Sequence, residues 1–333
     1  MHIAIIGAGL AGLTCGRQLQ ARGNSVVVYE KSRAVSGRMS TRQNELGGFD
    51  HGAQYFTVSS PAFKKAVALW QKNGWVAPWT PRLVVLDHGV TSAPPAAAQR
   101  KQRWVAQPGM RSLGVQLAQD LDIRSEQRVK RLERADDKWL LSLESSTVAI
   151  DATAGPFDAV IIAVPADQAE VLLQDLPELA AQAATARLAP CWTLMLGFDQ
   201  PLGLNYDGAW VNNSRLGWIA QDASKPQRRP GEHWIAQASA AWSIKHLEDD
   251  TERAREKLLK AFHEATDTHL QPVFAAVHRW RYSQALHPLD SDCMWDESTN
   301  LGACGDWFAA GLTGRGRIEN AYLSATALAT RIS

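Results

Sequence analysis

Cysteine is scarce in this chain of 333 residues: Cys15, Cys191, Cys293 and Cys304 stand apart, with no Cys-x-x-Cys pair and no histidine at zinc-ligand spacing. That pattern excludes a disulfide scaffold and a structural zinc site, and it predicts reduced, mostly buried thiols. Long apolar runs are missing as well. None reaches the roughly 18 to 20 residues that span a bilayer. The apolar N-terminus lacks a basic flank and a small-residue cleavage signal, so the expected compartment is the cytoplasm, with no membrane partner. Neither charge sign dominates: 35 basic and 34 acidic side chains leave a net charge near +1. With no long basic run, nothing concentrates the positive field that a nucleic-acid partner requires. No catalytic triad or metal-ligand cluster is recognisable, and no metal is expected. What remains is a length that suggests about two domains and a globular balance of 45% hydrophobic and 21% charged residues. Tryptophan, with 13 residues, is the surplus, and it suggests an aromatic-lined cavity as well as a core.

The first thirty residues carry the sharpest signal. Ile3 to Ile6 read as a strand buried on both faces, leading into Gly7-Ala8-Gly9-Leu10-Ala11-Gly12. In this dinucleotide fingerprint Gly7 permits the tight turn, Gly9 lets a pyrophosphate approach the backbone, and Gly12 lets the following helix pack on the strand. The helix is expected from Leu10 to Ala21, stopping at Gly23-Asn24, with a second strand from Val26 to Tyr29. Glu30 ends that strand, where a carboxylate accepts from ribose hydroxyls and disfavours a 2′-phosphate. The fingerprint alone does not separate NAD from FAD.

Farther along, Lys31-Ser32-Arg33 and Ser36-Gly37-Arg38-Met39-Ser40-Thr41-Arg42 form a polar loop suited to a second phosphate contact or simply to solvent. Gly47 to Thr57 mixes small, polar and aromatic residues, as where backbone comes close to a ligand. Residues 62–72 are weakly helical, and Leu113, Leu117 and Leu121 share a helical face. Gln127–Glu133 and Lys138–Glu144 flank an Asp136-Asp137 turn, and Thr147–Ile150 is a candidate third strand of a meander. Asp158 to Pro165 returns to a fully buried strand. Between about 170 and 289, strands are expected at Cys191–Phe198, Ala209–Val211, Gly217–Ala220, Glu232–Trp242 and Val273–Tyr282. One helix there carries Ala254, Leu258, Phe262 and Ala265 on a face. Ser224 to Gly231 reads most simply as a solvated turn. The chain closes with Leu301 to Trp307, a loop through Gly311, Gly314 and Gly316, and a helix from Ile318 to Thr330. The start of that helix places partial positive charge beside whatever binds there.

With these residues in view, the chain resembles the FAD-dependent oxidoreductases of the amine-oxidase type, and within them the bacterial renalases. The resemblance is carried by the GAGLAG stretch at 7–12, Glu30 to Arg33, Gly37 to Ser40, Gly52 to Thr57, Pro108-Gly109-Met110, His278 to Tyr282, Cys304 to Trp307 and Gly316 to Glu319. It implies an α/β fold, with a Rossmann-like FAD/NAD(P)-binding domain of the glutathione-reductase type carrying a β-meander. Residues 1–58, 104–168 and 290–333 would form this domain, and 59–103 with 169–289 a mixed α+β substrate domain. Bound FAD would meet Gly7, Gly9, Ala11 and Gly12 at the pyrophosphate and Glu30 at the adenosine ribose, with Leu10 and Lys31 as further cofactor contacts. Arg38 and Met39 would lie near the phosphates or flavin, Gln54 and Tyr55 at the ring, and Val129 near adenine. Gly305 and Asp306 would sit on the ribityl side, with Ile318 beneath the flavin. Ser36 departs from the family by standing where a glycine is usual, and Ala325 does the same after a serine.

The implied activity is an oxidase that takes hydride from isomeric dihydronicotinamides, misreduced forms of NAD(P)H, and passes the electrons to O2 to give H2O2. A dihydropyridine loses hydride without losing a proton from the same carbon, so stacking and positioning matter more than a general base. Trp192, Trp280 and Tyr282 are candidate pocket walls, with Thr57 and Ser59 as candidate polar contacts; no catalytic residue is assigned. A flavin amine oxidase, with Lys245 as the nearest candidate for a water-holding lysine, and a flavin-binding sensor or scaffold without turnover are the alternatives. An NAD-dependent dehydrogenase is disfavoured, because the C-terminal Gly-Asp and helix would then serve no ligand.

Overall fold

The protein is described from a computed structural model, covering residues 1–145, 152–312 and 317–332. Strand His2–Ile6 lies inside a six-stranded sheet, between Ala159–Ile162 on one side and Ser25–Glu30 on the other. Asp122–Ser125 and Leu301–Ala303 extend it in parallel, and the antiparallel Met294–Asp296 closes one edge. The unbroken apolar run has two destinations because strand side chains alternate. Ile3 and Ile5 face a helical layer holding Leu13 and Cys15 of helix Leu10–Ala21, Leu113 of helix Met110–Leu117, and Ala325 and Leu328 of helix Ile318–Arg331. Ala4 and Ile6 face the opposite layer, with Leu141, Trp139 and Phe157. Leu121 lies beyond the end of its helix yet remains in the same core as Leu113 and Leu117.

That opposite layer is the three-stranded meander Gln127–Ala135, Lys138–Ser145 and Ala152–Phe157. Ala135 pairs with Lys138 across Asp136 and Asp137, both at positive φ (47° and 62°), as a tight hairpin turn with the hand of strand twist requires. The strand expected at Thr147–Ile150 lies outside the described residues.

The second sheet has seven strands, in the order Phe274–His287, Arg187–Phe198, Glu232–Ala238, Leu216–Gln221, Gly208–Asn212, Leu83–Asp87 and Val90–Ser92. Its pairings are antiparallel except where Gly208–Asn212 meets Leu83–Asp87. Helix Thr251–Thr266, capped by the Asp250 carboxylate on the Arg253 N–H at 2.9 Å, buries Ala254, Leu258 and Phe262 against one face. The strand expected over Glu232–Trp242 stops at Ala238. There Ser239 accepts from the Trp242 N–H and starts helix Ala240–Lys245, a capping serine that competed successfully with strand continuation. Among the described residues no helix is long and apolar enough to cross a membrane.

Candidate active site

The three fingerprint glycines are needed for different reasons. Gly7 has φ +106°, and a Cβ there would sit 2.7 Å from the Ala163 carbonyl oxygen. A Cβ on Gly12 would lie 2.0 Å from the Gly7 carbonyl oxygen, which is closed to any side chain. A Cβ on Gly9 would meet no protein atom within 4 Å. The protein does not need that glycine for its own packing, so the space it leaves belongs to whatever enters the cavity. Gly9 is also the N-cap of helix Leu10–Ala21, and no side chain satisfies the first N–H groups, which remain available to an anion. Glu30, buried at the end of its strand, accepts from the Ala8 N–H at 2.9 Å and the Ser32 N–H at 2.8 Å. Its carboxylate retains acceptor capacity for a hydroxyl.

The following polar loop closes over this turn. The Ser36 N–H donates to the Ala8 carbonyl at 2.8 Å, and a Cβ on Gly37 would be 3.3 Å from the Gly9 Cα. Ser36 itself takes φ +94°, the conformation that favours glycine. It fits because a side chain at Gly114 is missing, where a Cβ would lie 2.3 Å from the Ser36 Oγ. From the other end of the chain, strand Leu301–Ala303 delivers Gly305 and Asp306. The Gly305 N–H donates to Ser324 at 3.2 Å, which ties the turn to the C-terminal helix. Arg38 grips Asp306 with both guanidinium nitrogens, at 2.6 and 2.9 Å. Helix Ile318–Arg331 starts beside them without a side-chain cap, and its buried Glu319 accepts from the Ser59 N–H at 3.0 Å and the Ser60 N–H at 2.6 Å.

These elements border one cavity of about 1980 Å³, roughly twice the upper end for pockets that hold a single drug-sized ligand. Of the expected cofactor contacts, Gly7, Gly9, Leu10, Ala11, Glu30, Lys31, Arg38, Met39, Gln54, Tyr55, Val129, Gly305, Asp306 and Ile318 line it, while Gly12 sits behind it in the helix-to-strand packing. Thr57, Trp280 and Tyr282 line it too. Ser59 and Trp192 do not. Ser59 is exposed and contributes its backbone N–H to Glu319. Trp192 is fully buried in the core of the second sheet, with its indole N–H donated to the His246 carbonyl at 3.0 Å. Strand alternation sends it to the helix-covered face.

Two aromatic walls face the cavity. In one, His51 stacks on Trp280 at 5.3 Å between ring centroids, His278 meets the same indole at 4.3 Å, and the indole N–H donates to the His51 carbonyl at 2.9 Å. Burial pushes both imidazoles down to about 4, with the two rings' mutual repulsion adding to the effect on His51. Both are therefore neutral at pH 7. In the other wall, Tyr55 packs on Trp218 at 5.6 Å, Trp218 on Trp210 at 5.3 Å, and the Arg103 guanidinium lies over Tyr55 and Trp210.

The segment read as a solvated turn, Ser224 to Gly231, is instead partly built into the interior. The Lys225 side chain is fully buried and that of Arg228 nearly so. The Lys225 ammonium donates to Asp222, to Asp50 at 3.3 Å and to Gln54 Oε1 at 3.3 Å, while Arg228 donates to Asp50 at 2.6 Å. Burial opposes ionisation of Asp50, but Lys225, Arg228 and hydrogen bonds from Thr41 and the Met110 N–H outweigh it and hold its carboxyl below the usual range. Neither the cations nor the acids form a local pattern, so their pairing is not legible in sequence; Asp50 and Gln54 belong to the Gly47–Thr57 stretch expected to come close to a ligand. Lys245, the lysine that the amine-oxidase alternative would need, ends helix Ala240–Lys245 on the exposed surface.

An uncapped helix start, a buried acid at the end of the second strand, a large cavity lined as well by the start of a second helix, and aromatic walls are together the features of a dinucleotide-dependent oxidoreductase of the flavoprotein class. A model of NAD(P)-binding Rossmann-like domains matches residues 5–72, and one of flavin-containing amine oxidoreductases matches residues 96–333. The chain belongs to the flavin-containing amine oxidoreductases, and FAD is the cofactor that the open space at Gly9 and the uncapped helix starts fit. A 4,4′-diapophytoene desaturase of Staphylococcus haemolyticus is 40% identical over 67 residues, which are 20% of this chain and 13% of that protein. An L-amino-acid oxidase of Siganus canaliculatus is 35% identical over 65 residues, 19% and 12% of the two chains. The chain thus aligns with only about an eighth of these relatives' length. A putative protoporphyrinogen oxidase from Exiguobacterium superposes with TM-score 0.75 at 14% identity, covering 99% of this chain and 98% of that one. A putrescine oxidase bound to putrescine gives 0.69 at 12% identity, with 99% and 98% covered. These structures share the fold.

Proposed function

We propose that the protein is a renalase-like oxidase whose substrates are isomeric dihydronicotinamides, with O2 as the electron acceptor and NAD(P)+ and H2O2 as products. One dihydronicotinamide, one O2 and one proton give one nicotinamide cation and one H2O2. When bound, FAD supplies the hydride acceptor and the route of the electron pair to O2. The observation that carries this reading is the neutral aromatic wall of His51, His278 and Trp280. Loss of hydride turns a neutral dihydropyridine into a cationic ring; neutral imidazoles and an indole face tolerate that charge, whereas protonated histidines would oppose it. Thr57 and Tyr282, on the same cavity, would position the ring's polar substituents.

The second reading, an amine oxidase, is favoured by the family match. Against it stands the saturation of the buried Lys225: its three N–H donors already have Asp50, Asp222 and Gln54 as acceptors, leaving none for a water. Anaerobic mixing of the holoprotein with isomeric dihydronicotinamides, ordinary NADH and a panel of amines decides between them. Rapid bleaching of the flavin by the isomers is expected; bleaching by amines alone would overturn the assignment, and bleaching by none would favour a sensor or scaffold.

A further inference from the structure

Arg103 is the unusual charge in this molecule. It begins strand Arg103–Ala106, pairs across to Trp79, and is 5% exposed, yet it lines the cavity. Its terminal nitrogens donate to two carbonyls, Lys101 at 3.0 Å and Ala98 at 2.8 Å, and its Nε–H is buried without a partner. No carboxylate pairs with it among the described residues. The acids nearest in function are taken: Asp306 is held by Arg38, Glu319 by backbone N–H groups, and Asp50 by Lys225 and Arg228. A buried guanidinium compensated by carbonyl dipoles and the faces of Tyr55 and Trp210 keeps a whole positive charge at the wall of the cavity. A guanidinium is never neutral in a protein, and its fork suits an oxyanion.

We propose that Arg103 is a specificity-determining residue that receives an oxyanion, carboxylate or phosphate, of the molecule entering the cavity, while Tyr55 and Trp210 flank the part attached to it. This deepens the reading of the cavity as a substrate site and rests on it. The neutral wall at His51 and Trp280 and the cationic wall at Arg103 then divide the work: one accepts the ring that changes charge, the other anchors the group that does not.

The test uses equilibrium dialysis of the holoprotein with two matched pairs of probes. Nicotinate against nicotinamide exchanges a carboxylate for an amide on one ring; nicotinamide mononucleotide against nicotinamide riboside adds a phosphate. The anionic member of at least one pair is expected to bind about tenfold tighter or better, and Arg103→Gln is expected to erase that preference. Which pair responds distinguishes carboxylate from phosphate. Equal binding within both pairs, or a preference that survives Arg103→Gln, overturns the proposal. A purely structural Arg103 would lower stability without changing the ratio within a pair. If the Gln variant loses FAD, Arg103→Met decides: it keeps the length of the side chain without the charge, and a preference that survives it overturns the proposal. Dialysis needs no turnover, so failure of dihydronicotinamides to bleach the flavin would sink the reaction assignment and leave this preference standing.

Discussion

Arg38 and Asp306, 268 positions apart in the chain, form a two-point ion pair at 2.6 and 2.9 Å on the wall of the cavity. Arg38 comes from the loop that closes over the Gly7 turn, and Asp306 from the turn before the C-terminal helix. The pair ties the loop after the second strand to the turn before the C-terminal helix, on one cavity wall. Bidentate arginine–carboxylate geometry fixes orientation as well as distance.

Asp306→Asn should therefore weaken FAD retention about tenfold or more, by removing an acceptor from the ligand and freeing Arg38 from its bearing. Titration of the apoprotein with FAD checks this. Unchanged affinity, with Arg38 still ordered, would remove Asp306 from the cofactor site.

Gly9 and Gly12 should fail differently. Gly9→Val places its side chain in space the protein leaves open, so the apoprotein should fold with near-normal thermal stability and take up no FAD. Gly12→Val drives a side chain into the Gly7 carbonyl, so the fold itself should suffer, with soluble yield and helix content falling together. Circular dichroism and flavin absorbance on both variants separate the outcomes; a flavin-loaded Gly9→Val would contradict the proposed pyrophosphate site.

Stability should fall as the solution is acidified from pH 7 toward pH 5. His51 and His278 are held down to about 4 against an ordinary 6.5. Between those values the unfolded chain binds protons that the folded chain refuses, so stability present above about pH 6.5 is lost progressively toward pH 4. Linkage gives about 2 kcal/mol for each histidine at pH 5 as an upper figure, less for the more exposed His278. Thermal midpoints of the holoprotein at the two pH values measure it. His278→Asn should flatten the dependence, both by deleting one group and by relieving repulsion on His51; a slope equal to that of the parent would refute the account.

Lys225→Met should cost about 3–5 kcal/mol, because it strands Asp50 and Asp222 beside each other without one of their two cations. The loss should appear in chemical denaturation of the apoprotein, before any substrate is added. A stable variant impaired only in turnover of amines would restore the lysine to the role that the amine-oxidase reading requires.

The Rossmann-like part was readable because its signals are local. A glycine loop between an apolar run and a helix, and a two-aspartate turn between alternating strands, specify their geometry within a few residues. Helix Leu10–Ala21 consequently begins and ends where expected. The region of the seven-stranded sheet was readable as strands and one amphipathic helix, but not in what its charges do. Lys225 looked solvated because Lys-Pro-Gln-Arg-Arg-Pro-Gly is a surface composition; it is buried because Asp50, 175 positions earlier, waits for it.

By itself, then, the order of residues determined the dinucleotide fold, the class of cofactor and the register of the nucleotide loop, since each depends on backbone freedom and short-range periodicity. The tertiary structure alone decided that Trp192 packs the core while Trp280 faces the cavity, that Lys225 is spent on two carboxylates, and that Arg103 is left with none among the described residues. A charge or an indole has no fixed role of its own; burial and the partners that long-range packing brings within a few ångströms assign one.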